Sequence, residues 1–270
     1  MKSINYIFLF FLLITQTTIC LHEKIFIATI PKTGTHLLRK IITLLTGNVG
    51  VGTNTSWLYI TPERLNTIKP NQFLISHAPP IQSNVSLLEH HNYRGIFLYR
   101  DPRDQVVSLA YYLAKYKIGT IHKLPIQEII TKVISNYKVI DYLVVKIPYY
   151  PDINLTKLNN VKQHYDAYLP WKDHPAIYTT TFEKIVGPRG GGTEMEQLQE
   201  IKNIANHLGL LIDNEEAKKI AVQLFGSSDT FREGQIGSHK KHFTSRQKKL
   251  FKEIAGTLLI QLGYEQDFDW

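Results

Sequence analysis

Of 270 residues, 43% are hydrophobic, 11% aromatic and 20% charged, a composition that excludes a disordered or collagen-like chain and supplies a sizeable packed core. The 31 Lys and Arg residues outnumber the 23 Asp and Glu, leaving +8 and a pI near 9.3, so charge points to an anionic partner: nucleotide, nucleic acid, acidic glycan or membrane surface. The single cysteine, Cys20, excludes an internal disulfide framework and a cysteine-based zinc site.

The first segment is residues 1–20. One early cation, Lys2, precedes an apolar stretch from Tyr6 to Ile14 and a polar Gln16-Thr17-Thr18 patch, the layout of a secretory signal peptide cleaved after Cys20. A short signal anchor is the alternative, because Ile4 to Leu21 is uncharged over the ~18 residues that just span a bilayer. Residues 21–270 then read as one domain. Lys24 to Ile30 is a nearly continuous apolar run, as expected of a parallel strand buried on both faces. A helix follows, with Leu37, Leu38, Ile41, Ile42, Leu44 and Leu45 at helical spacing and Gly47 closing it. Further strands are predicted at Gln72–Ser76, Gly95–Tyr99 and Ala176–Thr181. Helices are predicted at Gln105–Lys117, Ile126–Lys146, Leu158–Trp171, Glu194–Leu208, Asn214–Phe225 and Ser245–Leu262. Strands alternating with helices make this an α/β chain: one domain, a central parallel sheet with helices on both faces. Gly187 to Gly192 reads as a flexible surface loop, and His90 and His91 as part of a solvated turn.

Three segments concentrate chemistry. The first strand-to-helix turn is Pro31-Lys32-Thr33-Gly34-Thr35-His36. Gly34 lets backbone approach a ligand, the helix start offers unpaired N–H groups to an anion, and Lys32, Thr33 and Thr35 add a cation and two hydroxyls. A Walker A loop carries its Lys after the second Gly, whereas Lys32 precedes the one Gly here, which disfavours an ordinary ATP or GTP hydrolase. The second segment runs from Gly95 through Arg100-Asp101-Pro102-Arg103-Asp104 to a helix bearing Ser108, placing a guanidinium and a hydroxyl at the carboxyl edge of the sheet. Arg100 has an alternative use there, an ion pair with Asp101 or Asp104. The third is the basic, glycine-containing stretch Thr230 to Thr244 before the last helix.

In this order the three segments resemble the sulfotransferases that use 3′-phosphoadenosine 5′-phosphosulfate (PAPS), over nearly everything from Lys24 to the C-terminus. Ile30 through Leu37 match the family's Y-P-K-S-G-T-T-W loop; Arg100, Asp104 and Ser108 match R-N-x-x-D-x-x-x-S; Arg232, Gly234, Gly237, Lys240, Phe243 and Thr244 match its late R-K-G-x-x-G-D-W-K-N-x-F-T element. The resemblance implies a P-loop-like domain and makes PAPS the co-substrate, with no metal. Fixed cations suffice because a sulfuryl group in transfer carries less charge than a phosphoryl group. Lys32, Thr33, Gly34, Thr35 and His36 are implied to hold the 5′-phosphosulfate, Lys32 also stabilising the leaving phosphate. Arg100, Ser108 and Arg232 are implied to hold the 3′-phosphate, with Gly234 letting backbone come close. His77, in Ser76-His77-Ala78-Pro79, sits where the family carries its histidine base in K-T-H-x-P. Departures fall at the adenine, where Leu37 replaces the stacking tryptophan and Phe182 a tyrosine, and at Glu233, which stands where lysine is frequent. The dimerisation pattern K-x-x-x-T-V-x-x-x-E keeps Lys240 and Thr244 but has Ser245 and Lys249 in its last two places, so oligomeric state stays open.

A P-loop nucleotide kinase and a non-catalytic module for anionic glycan or nucleic acid are the competing classes. On the sulfotransferase reading no nucleic acid is expected, and the acceptor is a small molecule or a hydroxyl or amine of a glycan, lipid or protein. Tyr111, Tyr112 and Tyr116 read as packing or acceptor-pocket wall. The N-terminal segment implies the secretory route, in a Golgi-like lumen, membrane-anchored through residues 4–21 or secreted; without a working signal the location is cytoplasmic. Sequons at Asn54, Asn84 and Asn154 are compatible with a eukaryotic lumen.

Overall fold

A computed structural model describes residues 24–52, 60–136, 160–226 and 232–270. The segment read as signal peptide or anchor lies outside the described residues, among which no helix is long and apolar enough to cross a membrane.

The architecture grows from β1 (Lys24–Thr29), whose side chains alternate between two cores. Ile25 and Ile27 enter one, with Leu38, Ile41, Ile201 and Ile204; Phe26 and Ala28 enter the other, with Ala110, Tyr165, Trp171 and Phe251. A strand apolar on both faces belongs in the middle of a parallel sheet. It is flanked there by β3 (Gln72–Ser76) and β4 (Tyr93–Tyr99), with β2 (Val49–Gly52) and β5 (Ile177–Thr181) at the edges, all parallel in the order β2-β3-β1-β4-β5. Between β1 and β4 run α1 (Thr35–Thr46), α2 (Pro62–Asn66) and α3 (Gln82–His90); between β4 and β5 run α4 (Pro102–Lys115), α5 (Ile126–Ser135) and α6 (Val161–Tyr168). After β5 come α7 (Phe182–Ile185), α8 (Glu194–His207), α9 (Asn214–Ala221), α10 (His239–His242) and α11 (Ser245–Gln261). Residues of α1, α8 and α9 fill the first core, and those of α4, α5, α6 and α11 the second. The expected α/β domain with helices on both faces is therefore what forms.

Several details differ from the sequence expectations. β2, α2, α3, α7 and α10 are not among the expected elements: β2 is Val-Gly-Val-Gly, too short to show a pattern, α2, α7 and α10 are only a turn or so long, and α3 buries only Asn84 and Leu88. His90 and His91 end and cap α3. α4 starts at Pro102 rather than Gln105, because Asp101 caps it through Arg103 N–H and Pro suits a first turn. α5 ends at Ser135, and the predicted continuation to Lys146 lies outside the described residues beyond Asn136. The helix predicted to Trp171 stops at Tyr168 and tightens into a 3₁₀ turn over Leu169–Asp173, where Pro170 cannot continue an α-helix. Nor is Gly187 to Gly192 a loose loop. A Cβ on Gly187 would lie 2.2 Å from the Gln197 side chain and one on Gly190 would lie 2.1 Å from Val186, while the Gly190 carbonyl accepts from Ile236 N–H. The Asn84 sequon is corrected too: the side chain is buried, its Nδ2 donating to the Pro79 carbonyl and its Oδ1 accepting from Ile60 N–H. Asn54 and Asn154 lie outside the described residues.

Candidate active site

Parallel strands bring their carboxyl ends to one edge, and the loops leaving β1, β3, β4 and β5 all open into a single cavity of about 490 Å³. That volume lies within the roughly 300–1,000 Å³ typical of ligand sites. The turn after β1 supplies its floor. Gly34 caps α1 at φ 109, and a Cβ there would sit 2.8 Å from the Phe182 ring, so only glycine fits. No side-chain hydrogen bond caps α1, and Gly34, Thr35 and His36 at its start line the cavity, so the beginning of the helix offers an anion cradle. Lys32 stands at φ 69, a left-handed conformation costing a non-glycine residue roughly 1–2 kcal/mol. Strain of this kind concentrates where function requires a particular backbone path. Its ammonium lies 4.2 Å from the centre of the Tyr112 ring. Thr35 and His36 line the cavity. Thr33 does not: its hydroxyl turns inward and donates to the Ile30 carbonyl at 2.7 Å, pinning the turn to the sheet.

His77 projects from the end of β3 into the same cavity. Its Nδ1 is 2.7 Å from the Thr29 carbonyl oxygen, which can only accept, so Nδ1 carries the hydrogen and Nε2 the lone pair. Burial lowers its pKa to about 4, opposed by the Thr29 hydrogen bond and reinforced by Lys32 and His36. The backbone around it is clamped: Tyr168 Oη donates to the His77 carbonyl at 2.7 Å and Trp171 Nε1 to the Ala78 carbonyl at 2.9 Å. Nothing local in the sequence ties Tyr168 and Trp171 to His77, since they arrive from the far end of α6.

The end of β4 brings Arg100, which both lines the cavity and pairs with Asp104 at 3.3 Å; Asp101 pairs with Arg103 instead. The guanidinium lies 4.0 Å from the Phe182 ring centre, and Nη2 donates to the Gln235 carbonyl. Asp104 also accepts from the backbone N–H groups of Gly237 and His239, at 2.7 and 2.8 Å, and from His239 Nδ1 at 2.8 Å. Burial alone would raise its pKa; the His239 hydrogen bonds and Arg100 outweigh that and bring it down to about 2. One carboxylate thus docks the late glycine-containing segment against α4 and carries Arg232, Glu233 and Gly234 to the cavity, where Ser108 also lies. Arg232 contacts Glu233 and stacks 4.5 Å from the Tyr111 ring centre, while Glu233 reaches His242 Nε2 at 3.3 Å. Of the residues read from the sequence as catalytic or donor-binding, Thr33 alone does not line the cavity; of the three tyrosines Tyr112 lines it, and Tyr111 and Tyr116 do not.

The donor set fits a nucleotide carrying several anionic groups. Lys32, Arg100 and Arg232 converge closely enough that, after burial, repulsion from Lys115, Arg232 and Arg100 lowers Lys32 to about 8. The Nε atoms of Arg100 and Arg232 are buried without a hydrogen-bond partner among the described residues. Leu37, Val186, Leu224 and Phe225 add an apolar wall where Leu37 replaces the family tryptophan. Among the described residues no cluster of His, Cys, Asp or Glu could hold a metal.

Sheet order, glycine-capped anion turn and edge-borne cations define an α/β enzyme of the P-loop-like class. The sulfotransferase domain model matches residues 22–263, and the chain belongs to that family, the PAPS-dependent sulfotransferases. Its fold is similar to mouse sulfotransferase SULT7A1 complexed with PAP, at 17% identity and TM-score 0.60 over 88% of this chain and 85% of that one. Retinol dehydratase is similar as well: with androsterone and the inactive cofactor PAP, 12% identity and TM-score 0.58 over 87% and 80% of the two chains; with retinol and PAP, 12% and 0.59 over 87% and 81%. No curated protein sequence matches the chain. Family membership sets aside the kinase and binding-module readings.

Proposed function

We propose that the chain transfers a sulfuryl group from PAPS to a hydroxyl or amine, with His77 as base and Lys32 at the leaving phosphate. Bound in the cavity, PAPS supplies an activated sulfuryl group and a phosphate leaving group. His77 is neutral near pH 7 with its lone pair on Nε2, and takes the acceptor proton there. Lys32 and the N–H groups at the start of α1 hold negative charge at the 5′ side. Arg100, Ser108 and Arg232 hold the 3′-phosphate, Gly234 admits it against the backbone, and Phe182 packs under Arg100. The observation that carries the reading is a histidine held in the base tautomer across one cavity from a glycine-capped cation turn.

The acceptor is a small molecule, glycan, lipid or protein group. Ile75, Leu109 and Tyr112 give the cavity an apolar side, and retinol dehydratase is seen with retinol and androsterone, which supports an alcohol with an apolar body. On the sequence pattern we propose residues 1–20 as signal peptide or anchor, 21–270 as the sulfotransferase domain and a Golgi-like lumen as the location, the cytoplasm being the alternative without a working signal.

Calorimetric titration with PAP, the product 3′-phosphoadenosine 5′-phosphate, tests the donor assignment. The chain should prefer PAP to ADP, which lacks the 3′-phosphate, and Arg232→Ala should reduce PAP affinity about tenfold or more while leaving ADP nearly unchanged. Equal affinity for both nucleotides in the wild type would remove the 3′-phosphate role from these residues.

A further inference from the structure

Three polar groups from three separate elements meet beneath the cavity floor. The hydroxyl of Thr29, at the end of β1, is 2.8 Å from the Thr35 hydroxyl at the start of α1 and 2.9 Å from His77 Nδ1 beyond β3. The same Nδ1 is 2.7 Å from the Thr29 carbonyl oxygen. Because Nδ1 carries the hydrogen, Thr29 Oγ1 serves as an acceptor toward the imidazole. Between the two hydroxyls either oxygen can donate, and Thr35 also lines the cavity. When Thr35 donates to an anion there, its Oγ1 accepts from Thr29, and every hydrogen in the row then points one way, from imidazole to anion loop. Thr29 is fully buried, so bulk water does not compete for these contacts.

We propose that Thr29 is a positioning residue that couples His77 to the anion held by the Pro31–His36 turn. An anionic oxygen accepting from the Thr35 hydroxyl fixes the direction of the Thr29 hydroxyl, which in turn tightens its hold on the His77 Nδ1–H. No proton leaves Nδ1; the row transmits orientation and polarisation, and linked hydrogen bonds strengthen one another by roughly 10–30% each. The imidazole is thus held most firmly when the donor site is filled. The inference rests on the donor and base readings above.

The full chain, labelled with ¹⁵N-histidine, is titrated with PAP while the His77 Nδ1–H proton and both ring nitrogens are followed by NMR, assigned by their loss in His77→Gln. The hydrogen should be found on Nδ1, and PAP should shift its resonance downfield in the wild type and in Thr29→Ser. In Thr29→Val, which keeps the carbonyl and nearly the volume, the PAP-induced shift should vanish while PAP affinity stays within about threefold of wild type. Since Thr29 is fully buried, Thr35→Val interrupts the same row from the cavity side and should also lose the shift at saturating PAP. A shift persisting in both valine variants would mean that charge reaches His77 through space from Lys32 and His36, and overturns the proposal. A wild type with its hydrogen on Nε2 overturns the base reading and this one together. Absence of PAP binding by the wild type overturns the donor reading, an outcome the affinity measurement separates from loss of the Thr29 link.

Discussion

Lys32 holds its charge against three other cations in a partly buried turn, and this sets how binding responds to pH. Burial first, then Lys115, Arg232 and Arg100, bring it to about 8. A polyanion binds the protonated form, so PAP affinity should fall as pH rises through about 8. Lys32→Arg, whose guanidinium stays charged, should abolish that decline in the same calorimetric series. Lys32→Met should lower kcat by about 10²–10³, the loss usual for one preorganised charge-stabilising group. For His77 the sign is opposite in use: neutrality is the active state. With a pKa near 4 in place of 6.5, the acid limb of kcat/KM should lie near 4. A limb close to 6.5 would assign the proton to another group. His77 and His164, the latter lowered by burial to about 3, are buried neutral in the folded chain. The unfolded chain therefore binds their protons first, and the two histidines subtract stability as pH falls below 6.5.

Between elements, Asp104 is the joint on which the donor site depends, since one side chain ties α4 to the turn before α10 and to Arg100 at the end of β4. Asp104→Ala should cost about 3–5 kcal/mol, as removal of one partner from a buried charge pair does. Denaturant unfolding would measure it, and PAP affinity should fall in parallel because Arg232 and Gly234 lose their anchor. Asp104 is lowered from 3.8 to about 2, so the stability it contributes is complete above 3.8 and lost as pH drops toward 2. A loss much below that range would mean that the segment is held by other contacts. The same joint shows what the sequence discloses. Arg100, Asp104 and Ser108 are visible because their spacing lies within one strand–turn–helix unit, as does the Lys32–His36 turn. The partners of Asp104 at 237–239, and Tyr168 and Trp171 behind His77, are set by tertiary packing across the whole domain, which no local period encodes. β2 escaped for a different reason: its Val-Gly-Val-Gly draws its stability from pairing with β3 rather than from its own residues. Thr33 misled because a hydroxyl in an anion turn can serve the ligand or the turn itself, and here Ile30 and Leu98 take it.

On the scale of the molecule, part of the +8 charge gathers where it acts: Lys32, Arg39, Arg100 and Arg232 line the cavity beside His36, neutral in that sum, with Glu233 its one carboxylate among the described residues. The surface bears instead on the proposed secretory location, through glycosylation. Of the three sequons, Asn84 lies on a buried turn of α3, where both ends of its amide bond Pro79 and Ile60. A glycan there would remove one of those bonds and force open the buried contacts that Asn84 makes with Ile60 and Pro79. Expressed through a eukaryotic secretory pathway, the chain should therefore show at most the glycoforms of Asn54 and Asn154, and Asn84→Gln should leave the gel pattern before and after glycosidase unchanged. Asn84→Leu, which leaves the Ile60 N–H and the Pro79 carbonyl without their side-chain partner, should cost about 1–3 kcal/mol of stability. A glycoform that disappears in Asn84→Gln would show the sequon modified before α3 docks, and the folded fraction would then have to exclude that glycoform, which separation on the glycan followed by PAP titration would decide.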